Sequence, residues 1–301
     1  MFATLAGGYP WSSTLTLEAA LDAVMAAQVE AGLGLIADGR VHPAGLPRGD
    51  LVAAWVAAVE AGARVAPELP VKLAVEGPWT AGGGDRLRAA TRSLAAAGAL
   101  REGLHALVAA GCPVVELHEP AATLPRDEAG RAAFAEAHRA LLEGAPDGLH
   151  ASLAITGGDA LALGVDALFA APYQSHLFDL VAGPESWRLI AAAPRQRGIV
   201  LGVGDATGRG LSSLEDIVWA AGYAASTQGR GLDRVGIAPS GNLADLGDVP
   251  ARVILDLLGE AVRSMTAGRD ELLERLDPRA IDARSSALGH YRPARRDGTK
   301  R

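Results

Sequence analysis

Four stretches of the chain place ionisable side chains directly after short apolar runs: Asp38, Arg40 and His42; His118 and Glu119; Tyr173 and His176; and Asp205 with Arg209. His118-Glu119 follows Val114-Val115-Glu116-Leu117 and is followed at once by Pro120. A β-branched run of that length reads as a buried parallel strand, and a proline just beyond it forbids further ladder pairing. An imidazole beside a carboxylate at a strand end can move a proton or grip a substrate; the same pair can also simply satisfy a neighbouring loop. On the first reading His118, Glu119 and Asp205 are the catalytic candidates. Asp38, Arg40, Tyr173, His176 and Arg209 would then hold substrate, with the two guanidinium groups clamping a carboxylate or phosphate. Trp79 offers a flat ring for stacking or for packing under the site.

Such groups meet only if the strands carrying them aim at one place. Apolar runs at 2–6, 33–37, 71–75, 114–117, 149–155, 167–170, 199–203 and 234–238 alternate with helical stretches, among them 17–31, 127–143 and 249–267. Eight strands separated by helices predict an α/β fold, a (β/α)8 TIM barrel, in which side chains at the carboxyl ends of the strands share one mouth. On this assignment Tyr173 and His176 follow the sixth strand. Ser13 or Thr14 is expected to cap the first helix and Gly32 to end it.

A length of 301 residues suits one such barrel, over residues 1–283, followed by a polar, basic tail at 284–301 that is expected to be mobile. A net charge of −7 and the lack of a basic stripe argue against nucleic acid as a partner. The lone Cys112 excludes an internal disulfide framework and a cysteine-cluster metal site, and is expected to be a buried, inert thiol. No apolar run approaches the ~20 residues of a membrane span, and no basic segment with a long apolar stretch opens the chain. The expectation is a cytoplasmic enzyme with a small-molecule substrate; sequence leaves its oligomeric state open. His105, His138 and His290 are expected at the surface.

Taken together, the strand outlets resemble the catalytic barrel of cobalamin-independent methionine synthase, in its single-barrel form. The markers are Gly7-Gly8-Tyr9-Pro10, Asp38-Gly39, Glu76-Gly77-Pro78-Trp79-Thr80, Ala110-Gly111-Cys112 leading to Glu119-Pro120-Ala121, Gly202-Val203-Gly204-Asp205 and Pro239-Ser240-Gly241. They cover nearly the whole chain. The resemblance implies a methionine synthase/uroporphyrinogen decarboxylase-like barrel that moves a methyl group from a tetrahydrofolate derivative to a thiolate held by zinc. It also implies a His-x-Cys pair on strand five, a Glu after strand six and a Cys after strand eight. Here these positions read His150-Ala151-Ser152, about Ala171 and about Gly241. Only the imidazole of His150 remains, so the family's zinc site is expected to be lost.

The amino-acid pocket departs as well. Arg40 stands where the family has a Glu, His118 where it has an Asp, and Gly8 where it has a Ser. The strand-seven Asp-x-His becomes Asp205-Ala206-Thr207. Gaining Arg40 and His118 while losing carboxylates favours an anionic ligand over an ammonium. The substrate set therefore includes Gly8 and His150, and Glu76, Trp79 and Asn242 border the expected folate-like donor. The leading expectation is methyl or one-carbon transfer to a small anionic acceptor without zinc. The alternatives are a metal-free lyase or decarboxylase, a non-catalytic ligand-binding homologue, and a new metal site built from His118, Glu119, His150 and Asp205.

Overall fold

Eight short parallel strands alternate with helices along the chain. The strands are β1 (Phe2–Ala3), β2 (Ile36–Ala37), β3 (Val71–Glu76), β4 (Val114–His118), β5 (His150–Ile155), β6 (Ser175–Asp179), β7 (Gly198–Gly204) and β8 (Val235–Pro239). The helices are α1 (Leu17–Ala31), α2 (Arg48–Val65), α3 (Pro78–Ala81), α4 (Ala89–Ala109), α5 (Glu128–Leu142), α6 (Val165–Leu168), α7 (Trp187–Ala192), α8 (Leu214–Ser226) and α9 (Asp248–Thr266). The structure is a computed structural model and describes residues 1–41, 48–84, 89–124, 127–210 and 212–266. His42, His290, the domain end at 283 and the tail 284–301 lie outside the described residues.

Hydrogen bonding runs in the order β1-β8-β7-β6-β5-β4-β3-β2. A parallel bridge between Thr4 and Leu35 joins the two ends, and Thr4 Oγ1 donates to the Leu35 carbonyl at 2.8 Å. This is the closed (β/α)8 barrel. No described helix is long and apolar enough to cross a membrane.

Alternation along each strand decides which residues reach the interior. Leu73, Val75, Val115, Leu117, Leu153, Ile155 and Phe178 pack outward with the helices in the main core. The opposite parity brings Ala6, Ala154, Leu177, Val200 and Ala238 together as a second apolar cluster inside the barrel. Register places Ala74 opposite Glu116, Glu116 opposite Ser152, and Ser152 opposite Ser175, so these polar residues share that inner face.

The helix boundaries follow local chemistry. Thr16, rather than Ser13 or Thr14, caps α1 by accepting from Ala19 N, and Gly32 ends it at φ 90°, where a side chain would be strained. Asp127 caps α5 through Gly130 N.

One strand is not where the sequence places it. Residues 167–170 contribute no strand: Gly164 turns at φ 76° into the short helix α6, and β6 begins eight residues after 167, at Ser175. β6 is buried on both faces yet carries Ser175 and Asp179 on one and His176 on the other, so neither an apolar run nor a clean alternation marks it. The shift matters for the site. Tyr173 now precedes β6, His176 is its second residue, and the outlet carries Asp179 instead.

Candidate active site at the barrel mouth

His118 ends β4 and faces the interior. Its Nε2 lies 2.8 Å from Glu116 Oε1, and Glu116 Oε2 lies 2.6 Å from Lys72 Nζ on β3. All three side chains are at most 3% exposed. Burial alone would raise the Glu116 carboxyl, but the Lys72 ammonium and the His118 hydrogen bond reverse this and bring it down to about 2. Neither Lys72 nor Glu116 was a site candidate from sequence. The available signal was a charged residue in the middle of each of two apolar runs, Val71-Lys72-Leu73 and Val115-Glu116-Leu117.

Glu119 takes a different position from its neighbour. Its carboxylate is fully buried and accepts from Trp79 N at 2.7 Å, Thr80 N at 2.7 Å and Thr80 Oγ1 at 2.6 Å. It thereby caps α3 from across the chain, since Gly77, the residue before that helix, has no side chain to do so. Gly77 is needed here: a Cβ would sit 2.3 Å from Glu119 Oε1. His138 on α5 is not a surface residue but is 1% exposed, with Nε2 at 3.2 Å from Glu119 Oε1 and Nδ1 at 2.6 Å from Tyr173 Oη. Burial, helped by Glu119, pushes the Tyr173 phenol well above its usual value.

Tyr173 and His176 therefore lie in the aromatic layer between sheet and helices. The His176 ring is 4.8 Å from Phe169 and 6.0 Å from Phe178, centroid to centroid, and burial lowers its imidazole to about 3. Trp79 is also packed in this layer, 2% exposed and edge-on to Phe134 at 6.0 Å. His105 is exposed on α4.

The rim is assembled from the remaining outlets. Asp38 is buried just after β2, with Oδ1 3.5 Å from Ala74 N. Gly39 and Arg40 are consecutive left-handed residues, at φ 63° and 53°. A non-glycine held there is a common mark of a functional loop. The Glu76 carboxyl at the β3 outlet is raised by burial, eased by the nearby Arg40 charge and reinforced by Glu119. Asn242 Oδ1 accepts from Gly8 N at 2.8 Å and ties the β8 outlet to the β1 outlet. Asp205 Oδ1 accepts from Thr207 N at 2.8 Å and Thr207 Oγ1 at 2.5 Å, while Arg209 is exposed.

Asp179 completes this ring. Burial raises its carboxyl, and Gly157, Val181 and Ala182 donate backbone N–H groups to it at 2.9, 2.9 and 2.8 Å. One carboxylate thus orders the outlets of both β5 and β6. Asp179→Ala is expected to cost about 2 kcal/mol, since three part-buried amides lose their shared acceptor. Hydrogen-exchange mass spectrometry should show faster exchange at Gly157, Val181 and Ala182; unchanged protection would mean that these loops hold themselves.

His150 and Cys112 lie at the other end of the barrel. His150 opens β5, five residues before that strand ends, and its Nε2 is 2.8 Å from Ser175 Oγ at the start of β6. Cys112 is buried ahead of β4, and burial pushes its thiol up to about 12. Among the described residues no group of three His, Cys, Asp or Glu side chains could hold a metal ion. His118, Glu119, His150 and Asp205 accordingly do not form such a group.

These features define an α/β barrel with a histidine–carboxylate–lysine cluster leading up to a mouth rimmed by ionisable groups. No family model matches the sequence, and no curated protein matches it. Among solved structures the chain is similar to a B12-independent methionine synthase from a Shewanella species in complex with selenomethionine. The TM-score is 0.70 at 15% identity, covering 90% of this chain and 98% of that one. It is also similar to a methyltransferase from Methanosarcina mazei, with a TM-score of 0.61 at 12% identity, covering 88% and 95%. At these identities the likeness is one of fold.

Proposed function

We propose that this chain is a methyl- or other one-carbon-transfer enzyme that takes a folate-like donor and a small anionic acceptor, and that it works without the zinc centre of the methionine synthases it resembles. The observation that carries the reading is His118, buried at the β4 outlet with one ring nitrogen held 2.8 Å from Glu116. An imidazole so oriented suits proton transfer at a mouth of this kind. The fold likeness to a methionine synthase and a methyltransferase supports the one-carbon part. The zinc part is supported by the donor set: the one cysteine and His150 lie at the far end of the barrel.

In this scheme Arg40 and Arg209 attract the acceptor's anionic group, and Asp38 and Asp205 order their own loops around it. Glu76 and Asn242 border the donor, and Trp79 supports the β3 outlet from the packed layer below. The proton that the acceptor loses on methylation is the proton the departing donor must gain. In this reading His118 carries it.

Calorimetric titration with tetrahydrofolate and its methylated form tests the reading. Binding of the methylated form, with His118→Asn binding normally but transferring no methyl group, is the expected result. No heat from either folate would overturn it. Consumption of a carboxylic acid without any methyl donor would instead favour a metal-free lyase or decarboxylase, for which the same cluster provides proton transfer. Arg40→Glu is expected to weaken a dicarboxylate ligand at least tenfold, about 1.4 kcal/mol. Tighter binding of that ligand to the variant would remove the case for an anion-selective mouth.

A further inference from the structure

We infer that Lys72 and Glu116 are positioning residues for His118: they hold its ring in the tautomer with Nε2–H on the Glu116 carboxylate and so leave Nδ1 as the nitrogen that exchanges a proton with a ligand. The inference deepens the proposed function, and only the ligand's role rests on that reading.

The geometry divides the work between two oxygens. Glu116 Oε1 faces His118 Nε2 at 2.8 Å, and Oε2 faces Lys72 Nζ at 2.6 Å. A carboxylate ionised by a lysine partner can only accept, so the shared proton belongs to His118 Nε2. The side-chain hydrogen bond that His118 makes among the described residues is the one at Nε2, to Glu116. Lys72 has no acidic partner among them other than Glu116.

Filling space does not account for these residues. Elsewhere the barrel interior is closed by Ala6, Ala154, Leu177, Val200 and Ala238. Apolar side chains would serve at 72 and 116 too, since a buried ion pair rarely adds stability over a well-packed apolar pair. What Glu116 adds is a fixed acceptor for one nitrogen of the outlet histidine. What Lys72 adds is a counter-charge that keeps Glu116 an acceptor. Base, orienting carboxylate and counter-ion thus line up from the outlet inward.

The test reads the ring directly. In the full chain labelled with ¹⁵N-histidine, long-range ¹H–¹⁵N correlation at pH 7.5 should show His118 with Nε2 protonated and Nδ1 carrying the lone pair. His118→Asn assigns the signal by removing it. Glu116→Gln should mix the two tautomers. The double variant Lys72→Met/Glu116→Leu keeps the test available if Glu116→Gln does not fold, and should mix them as well. With methylated folate as donor, Glu116→Gln should lower kcat about 100-fold at unchanged KM. A wild-type ring protonated at Nδ1, or a tautomer unmoved in the folded variants, would overturn the inference. A locked tautomer together with full turnover in His118→Asn would leave the positioning pair standing and sink the proposed function instead.

Discussion

Glu119→Ala is expected to cost about 4 kcal/mol, among the largest effects of any single substitution in this chain. The carboxylate receives three donors, Trp79 N, Thr80 N and Thr80 Oγ1, and removing it leaves each buried or half-buried group without its acceptor. A stranded buried donor costs about 1–3 kcal/mol, and fraying of the four-residue helix α3 recovers part of the total. Glu119→Gln retains one oxygen but turns an amide NH2 toward an N–H donor, so about half the loss is expected. Gly77→Ala should match Glu119→Gln, because the new Cβ must displace the carboxylate. Urea midpoints measure all three. If Glu119→Ala unfolds within 1 kcal/mol of wild type by the same measure, the cap is dispensable, and Glu119 is free for another task.

This arrangement bears on how His118-Glu119 reads in the sequence. Adjacent residues on a strand point to opposite faces, so a neighbouring imidazole and carboxylate cannot both turn into the mouth. His118 turns to the interior beside Glu116; Glu119, just past the strand, turns back to the α3 end. The partner of the histidine is two residues away, not one. The same period explains Lys72, two residues before Ala74 on the inner face of β3.

Barrel and helix order were legible because eight apolar runs are spaced by helices with recognisable ends, as at Leu17–Ala31 with Gly32 beyond it. What sequence did not reveal came from burial on both sides of a strand. Ser175-His176-Leu177-Phe178-Asp179 has only two apolar residues, with polar side chains on both of its faces, so no apolar run marks it, while the apolar residues at 167–170 mimic a strand and form a helical turn with its sequel. A sixth strand at 167–170 would put Tyr173 and His176 in the mouth; with β6 at Ser175–Asp179 it is Asp179 that reaches it. His138 was misjudged for a related reason: α5 turns it inward, where Tyr173 and Glu119 supply polar contacts that a helical pattern cannot show.

Lys72→Met and Glu116→Leu are each expected to destabilise the fold by about 4 kcal/mol, whereas the double variant should lie within about 2 kcal/mol of wild type. Each single change leaves one buried charge inside the barrel without its opposite. Removing both eliminates the two desolvation costs and leaves only His118 Nε2–H without its acceptor. The pH dependence should have a definite sign. Because Glu116 is held at about 2 in the folded chain, its contribution is fully present above the unfolded carboxyl range and is lost as pH falls from about 5 towards 2. That loss amounts to about 3 kcal/mol, and the double variant should lack it. Urea unfolding of the four proteins at pH 7, 4 and 3 checks both statements. A double variant that loses stability on acidification as steeply as wild type would show that the Glu116 proton is not taken up on unfolding. Additive single changes would show that Lys72 and Glu116 do not act as a pair, and His118 would then need its orientation from somewhere else.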